Sequence, residues 1–147
     1  MTPPRAAVLL GYAGLIPFVG LAILAIAGPM EWRTGASTGL LVYGVSILSF
    51  MGGCRWGFAA AGLGQGPTLA PLAISVLPAL LAWAAFWATP LWGAQITALA
   101  LVVGFVGLYF SDLAASRNGD APAWWPALRA PLTLGATGSL AVFAALT

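Results

Sequence analysis

"AAVLLGYAGLIPFVGLAILAIA", residues 6 to 27, decides between two kinds of chain. Preceded by Arg5 and closing on Ala25-Ile26-Ala27-Gly28, it has the outline of a secretory signal. Its 22 residues exceed an apolar signal core of about 7 to 15 residues, however, and Pro17 interrupts it. A first membrane helix is the better reading, because a span needs about 20 mostly apolar residues.

The rest of the chain points the same way. Hydrophobic residues make up 61% of the 147 and charged residues 5%, with a mean hydropathy of +1.00; soluble domains carry about 25% charged residues. A chain of this length has too much surface for its volume to hide so much apolar area in a water-soluble core. Lipid is therefore its main solvent.

Five segments are long and apolar enough to span: 7–27, 38–60, 68–88, 91–111 and 130–147. Chemical punctuation bounds them. Gly28-Pro29 ends the first, and Thr34, Ser37 and Thr38 offer side-chain caps for the second. The run Gly62 to Pro67 separates the second from the third, and Thr89-Pro90 forms a tight hairpin before the fourth. The expected fold is thus all-α, a single transmembrane domain over residues 1–147 built as a bundle of five helices. The link "SDLAASRNGDAPAWWPALR", 111 to 129, holds about half of the charges. Its Asn118-Gly119 is a turn signal, and Trp124-Trp125 reads as an aromatic belt on an interfacial segment between helices 4 and 5. Counting arginines gives Arg5, Arg117 and Arg129 on one side against Arg33 on the other. By the positive-inside rule that orients the chain N-in and C-out.

Against this background "SFMGGCRWGFAAAG", 49 to 62, is anomalous. Arg55 stands about one turn from the C-terminal end of its helix, and helical side chains tilt toward the N-terminus. Its guanidinium therefore points back toward the bilayer centre, a poor geometry for snorkelling. A charge at that depth costs a few kcal/mol on insertion scales and usually faces a bundle interior. Gly53, Gly57 and Ala61 form a row of small residues, with Gly52, Arg55 and Ala59 on the opposite face. Gly53 and Gly57 are accordingly expected to pack against a neighbouring helix. Asp112 is the partner expected for Arg55, at the same membrane face and about 6 Å shallower by helix rise. Arg129, opening the last helix, is expected to snorkel outward as a headgroup anchor. With Trp56, Trp124 and Trp125 at similar depth, the set makes a net-positive, aromatic-rimmed site suited to an anionic phospholipid headgroup. Pro17 and Pro78 lie in helix interiors, where each frees the carbonyl four residues earlier.

Absences narrow the function. The charges are scattered, with no basic stripe for nucleic acid. One cysteine and no histidine leave no usual zinc or haem ligand set, so neither a metal nor a cofactor is expected. No carboxylate lies mid-span to relay protons or sodium. Cys54 and the serines lack a base to activate them, so an enzyme is not expected.

"LGYAGLIPF" (10–18), "ILSFMGGCRWG" (47–57), "YFSD" (109–112) and "WWPALRAPLT" (124–133) fall in order across nearly the whole chain. Together they resemble a family of bacterial multi-pass membrane proteins of unknown function related to mitochondrial transmembrane protein 69. The family's polar motif positions correspond here to Arg55, Trp56, Asp112, Trp124, Trp125, Arg129 and Thr133. Cys54 stands where an aliphatic residue would be expected and Trp125 where tyrosine is more usual; neither change removes a charge. The resemblance implies a bacterial inner (cytoplasmic) membrane protein without established activity. The reading is then a non-enzymatic protein whose cytoplasmic-face Arg/Asp/Trp cluster holds the bundle together and is expected to bind an anionic lipid headgroup or a partner subunit. Two alternatives stand beside it: a small oligomeric transporter of solute or lipid, and an accessory or assembly subunit of a larger membrane complex, with a membrane protein or a second copy as partner.

Overall fold

The computed structural model describes residues 2–147, and among them there is helix and no strand. Seven helices follow in chain order: α1 Arg5–Ala13, α2 Leu15–Ala27, α3 Met30–Ala60, α4 Leu69–Trp87, α5 Thr89–Trp92, α6 Ala94–Asn118 and α7 Trp125–Leu146. Taking α1 and α2 together as one span, five helical stretches are long and apolar enough to cross a membrane. The links between them are short, so the direction of the chain alternates. One face of the bundle therefore carries the start of α1, the ends of α3 and α6 and the start of α7; the opposite face carries the α2–α3 turn, α5 and the end of α7.

The first span is broken at Gly14. Pro17 has no N–H for the Ala13 carbonyl, and Tyr43 of α3 donates its hydroxyl to the adjacent Gly14 carbonyl at 2.9 Å. A residue from the next span thus ties down the joint between α1 and α2.

Three helices have ends that differ from the sequence expectation. α3 begins at Met30 rather than 38, because Pro29 precedes its first turn and Glu31 complements the helix dipole there. Ser37, read as a cap, instead donates to the Arg33 carbonyl inside the helix at 2.8 Å. At 31 residues α3 is about 46 Å long, more than the roughly 30 Å of hydrocarbon. The excess carries Glu31, Trp32 and Arg33 beyond the apolar zone, and Arg33 donates to the Gly28 carbonyl at 2.8 Å. α6 starts at Ala94 and continues to Asn118, where Gly119, at φ +83°, supplies the left-handed C-cap. α7 starts at Trp125, with Pro126 in the first turn, where its missing N–H costs nothing. The long interfacial link of 111–129 thereby shrinks to residues 119–124.

Between α4 and α6 the Thr89-Pro90 hairpin is a short helical turn closed by Gly93 at φ +89°. Its pivot is Thr97, fully buried, which meets the Thr89 hydroxyl at 2.8 Å, accepts Trp92 Nε1 at 3.0 Å and donates to the Gly93 carbonyl at 3.1 Å.

The core is built by Phe18, Leu40, Leu41, Leu48, Leu101, Phe105, Leu140 and Phe143. Phe18 meets Tyr43 and Phe105 edge-on, with ring centroids 4.9 and 5.9 Å apart. Close approach of α3 and α4 depends on Gly52 and not on the expected row of Gly53 and Gly57. A Cβ at 52 would lie 2.5 Å from the Ser75 carbonyl oxygen and 3.5 Å from the Pro78 ring, whereas one at 53 or 57 would meet nothing within 4 Å. The face bearing Gly53 and Gly57 is exposed, so within a single chain α3 packs through its Gly52–Ala59 side.

Gly52→Ala is expected to destabilise the protein by about 1–3 kcal/mol through overpacking against backbone. Gly53→Ala and Gly57→Ala are expected to be neutral or stabilising by up to about 1 kcal/mol through helix propensity. Thermal unfolding of the three variants in detergent checks this; equal losses at all three positions would contradict the packing described.

Candidate functional site

Asp112 stands on α6 six residues before the end of the helix and is completely buried. Each of its carboxylate oxygens takes one arginine. Arg55 Nη1 of α3 donates to Oδ1 at 3.0 Å, and Arg129 Nε of α7 donates to Oδ2 at 3.0 Å. Arg55 Nη1 also lies 3.3 Å from the Ser111 hydroxyl, a residue the sequence did not single out. One carboxylate thereby joins three helices, and two guanidiniums on one carboxylate leave the triad with one formal positive charge.

The two arginines differ in environment. The Arg55 side chain is 13% exposed and borders a small recess of about 140 Å³ with Gln65 and Asp120. Arg129, expected to snorkel into the headgroups, is 2% exposed and lies inside the protein. The correction follows from the helix boundary. Because α7 begins at Trp125, Arg129 sits one turn into the helix and its side chain turns inward to Asp112.

Arg129 belongs to a polar stripe on α7. Trp125, Arg129 and Thr133 succeed one another at intervals of four residues and so share a face. Each carries a buried polar atom without a hydrogen-bond partner among the described residues: Trp125 Nε1, Arg129 Nη2 and Thr133 Oγ1. Groups of this kind cost roughly 1–3 kcal/mol apiece when left unpaired.

The tryptophans divide. Trp125 is buried and packs edge-on against Phe58 at 5.0 Å and Trp124 at 5.9 Å, so it is a core residue and not part of a belt. Trp124 is half-buried, while Trp56 is exposed. Trp32, Trp87 and Trp92, at the ends of α3, α4 and α5, are exposed on the opposite face at the depth of an interfacial belt. Pro17 lies by the α1–α2 joint and Pro78 against Gly52.

Fold and site together define a polytopic α-helical membrane protein with a buried, net-positive ion triad. The chain belongs to the family described as "Protein of unknown function (DUF3429)", which matches residues 3–145. It is 41% identical over 141 residues to Transmembrane protein 69 of Xenopus tropicalis, an alignment covering 93% of this chain and 53% of that protein. Against Transmembrane protein 69 of Mus musculus it is 31% identical over 140 residues, covering 95% of this chain and 55% of the relative. The chain therefore spans about half the length of the curated relatives it matches. No solved structure matches it.

Removing one partner of a buried ion pair costs about 3–5 kcal/mol because the remaining charge is stranded. Losses of this order are expected for Asp112→Ala and Arg129→Ala, with a smaller one for the more exposed Arg55→Ala. The Asp112→Ala/Arg129→Ala double variant should lose less than the sum of the singles. Thermal unfolding of the four variants reads this out, and additive losses would contradict the coupling.

Proposed function

We propose that this is a non-enzymatic protein of a bacterial inner membrane that holds the anionic headgroup of a membrane lipid at the Arg55–Asp112–Arg129 triad. The observation that carries the reading is the triad's one excess positive charge, which no further ion pair among the described residues offsets, although Asp120 lines the recess beside Arg55. Two arginines share one carboxylate, and the deeper of them keeps a buried N–H without a partner. An anion there would neutralise the site and satisfy that donor at once.

Two further features support the reading. Arg129 is held to Asp112 through Nε alone, and its Nη2 has no partner among the described residues. The exposed Arg5 and Arg117 lie toward the same face, and Arg33 toward the other. On the positive-inside rule the triad then faces the cytoplasm, where anionic lipid and its attraction for basic residues are concentrated. The exposed Gly53/Gly57 side of α3 gives specific support to a second reading, in which a partner subunit or second copy lays a helix on that side.

The test is extraction of wild type and Arg55→Ala into lipid-preserving nanodiscs, followed by mass spectrometry of everything retained. Arg55→Ala reduces the triad to a neutral Asp112–Arg129 pair. Wild type is expected to retain an anionic lipid that the folded variant loses. Identical lipid in both would overturn the reading, and a protein retained in fixed ratio by both would favour the partner subunit.

A further inference from the structure

A cavity of about 300 Å³ lies behind the triad, between the broken first span, α3 and α7. Its walls are apolar: Gly11 and Phe18 on one side, Ile47, Met51 and Cys54 on the second, Leu132 on the third. Besides the Cys54 thiol, a weak donor, the polar side chains at its wall are those of Trp125 and Arg129, whose Nε1 and Nη2 are buried just beneath the lining and have no partner among the described residues.

The Gly14 break accounts for this space. α2 packs against both α3 and α7, whereas α1 packs against α7 and leaves the facing side of α3 uncovered. Leu10 and Phe50 both line the cavity and are 75% and 63% exposed. They flank a mouth within two candidate membrane spans, where exposed side chains would meet lipid. An occupant can therefore enter from the bilayer with its apolar part still in hydrocarbon.

We infer that this cavity takes a single-chain carboxylate amphiphile, such as a long-chain fatty acid. Its head would be received by Arg129 and Trp125, and its chain would lie along α3 and leave through the Leu10–Phe50 mouth. The inference rests on the anionic-headgroup reading above and specifies the class of lipid. A carboxylate offers two oxygens that only accept, which matches two donors, and it brings one negative charge to a triad with one in excess. A phosphate that carries a further polar headgroup would bury additional polar atoms against walls without donors. A neutral ester or alcohol would leave the charge uncompensated. The volume stands at the lower end of ligand cavities, suited to part of one chain and not to a pair.

The experiment uses the full chain in phosphatidylcholine nanodiscs with a palmitic acid bearing a photoreactive diazirine in its chain, the site of labelling being located by mass spectrometry. Palmitic acid, hexadecyl phosphate and hexadecanol serve as competitors. Labelling is expected on α3 at Ile47, Met51 or Cys54, with palmitic acid outcompeting hexadecanol by about tenfold, the contribution of one charge-assisted hydrogen bond, and outcompeting hexadecyl phosphate because the additional phosphate oxygen would find no donor. Arg129→Ala is expected to unfold in part, so Ile47→Trp, which fills the cavity and leaves the triad intact, is the deciding variant. It should cut labelling about tenfold, by exclusion from the filled volume, in a protein that still unfolds cooperatively and keeps its triad. Hexadecyl phosphate competing as well as palmitic acid would overturn the carboxylate class alone and leave the anionic-headgroup reading in place. Hexadecanol competing equally would overturn both. Unaltered labelling of Ile47→Trp would overturn the cavity as the site.

Discussion

Three helices from distant parts of the chain meet at the carboxylate of Asp112. In hydrocarbon there is no hydrophobic force to press helices together, so association relies on packing, hydrogen bonds and the cost of stranding a polar group. An aspartate with one arginine on each oxygen answers that cost at the end of the bundle where α3, α6 and α7 converge. The opposite end is held differently, by Thr97 and the short α5 turn it organises. Charge secures one face and a neutral hydrogen-bond network the other.

The same interaction gives the protein a polarity that packing alone would not. A single aspartate cannot neutralise two arginines, and α7 adds two more unpaired polar groups on the face of Arg129. If bundle stability were the whole purpose, an apolar substitute for a buried ion set would often do as well or better. The triad lies instead between a small polar recess on the Arg55 side and an apolar, bilayer-facing cavity on the Arg129 side. That placement is what motivates the proposal of a site for a charged head and an apolar chain.

Much of this was legible in the sequence. Hydropathy alone yields five spans, and the helical tilt of Arg55 with the position of Asp112 points to their pairing. The position of Arg129 was not legible, because Trp124-Trp125 read as an aromatic belt on an interfacial segment ahead of a helix starting at 130, when the helix in fact begins at Trp125 with Pro126 in its first turn. The spacing of Trp125, Arg129 and Thr133 was the available signal, a helical interval beginning just after a proline-rich turn. Gly52 was hard to distinguish from Gly53, since both sit in rows of small residues. Which row meets a neighbour depends on the Ser75 carbonyl beside Pro78, a tertiary fact. The cavity was beyond reach for a similar reason: it arises from the Gly14 break and from Tyr43, which fixes that break from another helix.

The central claim is that Arg55 and Arg129 both bind Asp112 inside the membrane. Solid-state NMR of the protein in lipid bilayers, with ¹⁵N-labelled arginine and ¹³C-labelled aspartate, tests it most directly, because the chain has only five arginines and two aspartates. Dipolar recoupling should show the Asp112 carboxyl carbon in contact with guanidinium nitrogens of two arginines, at separations consistent with the 3.0 Å nitrogen-to-oxygen distances. Substituting Arg55 should remove one contact and Arg129 the other. An Arg129 guanidinium coupled to lipid phosphorus or water and not to Asp112 would contradict the account.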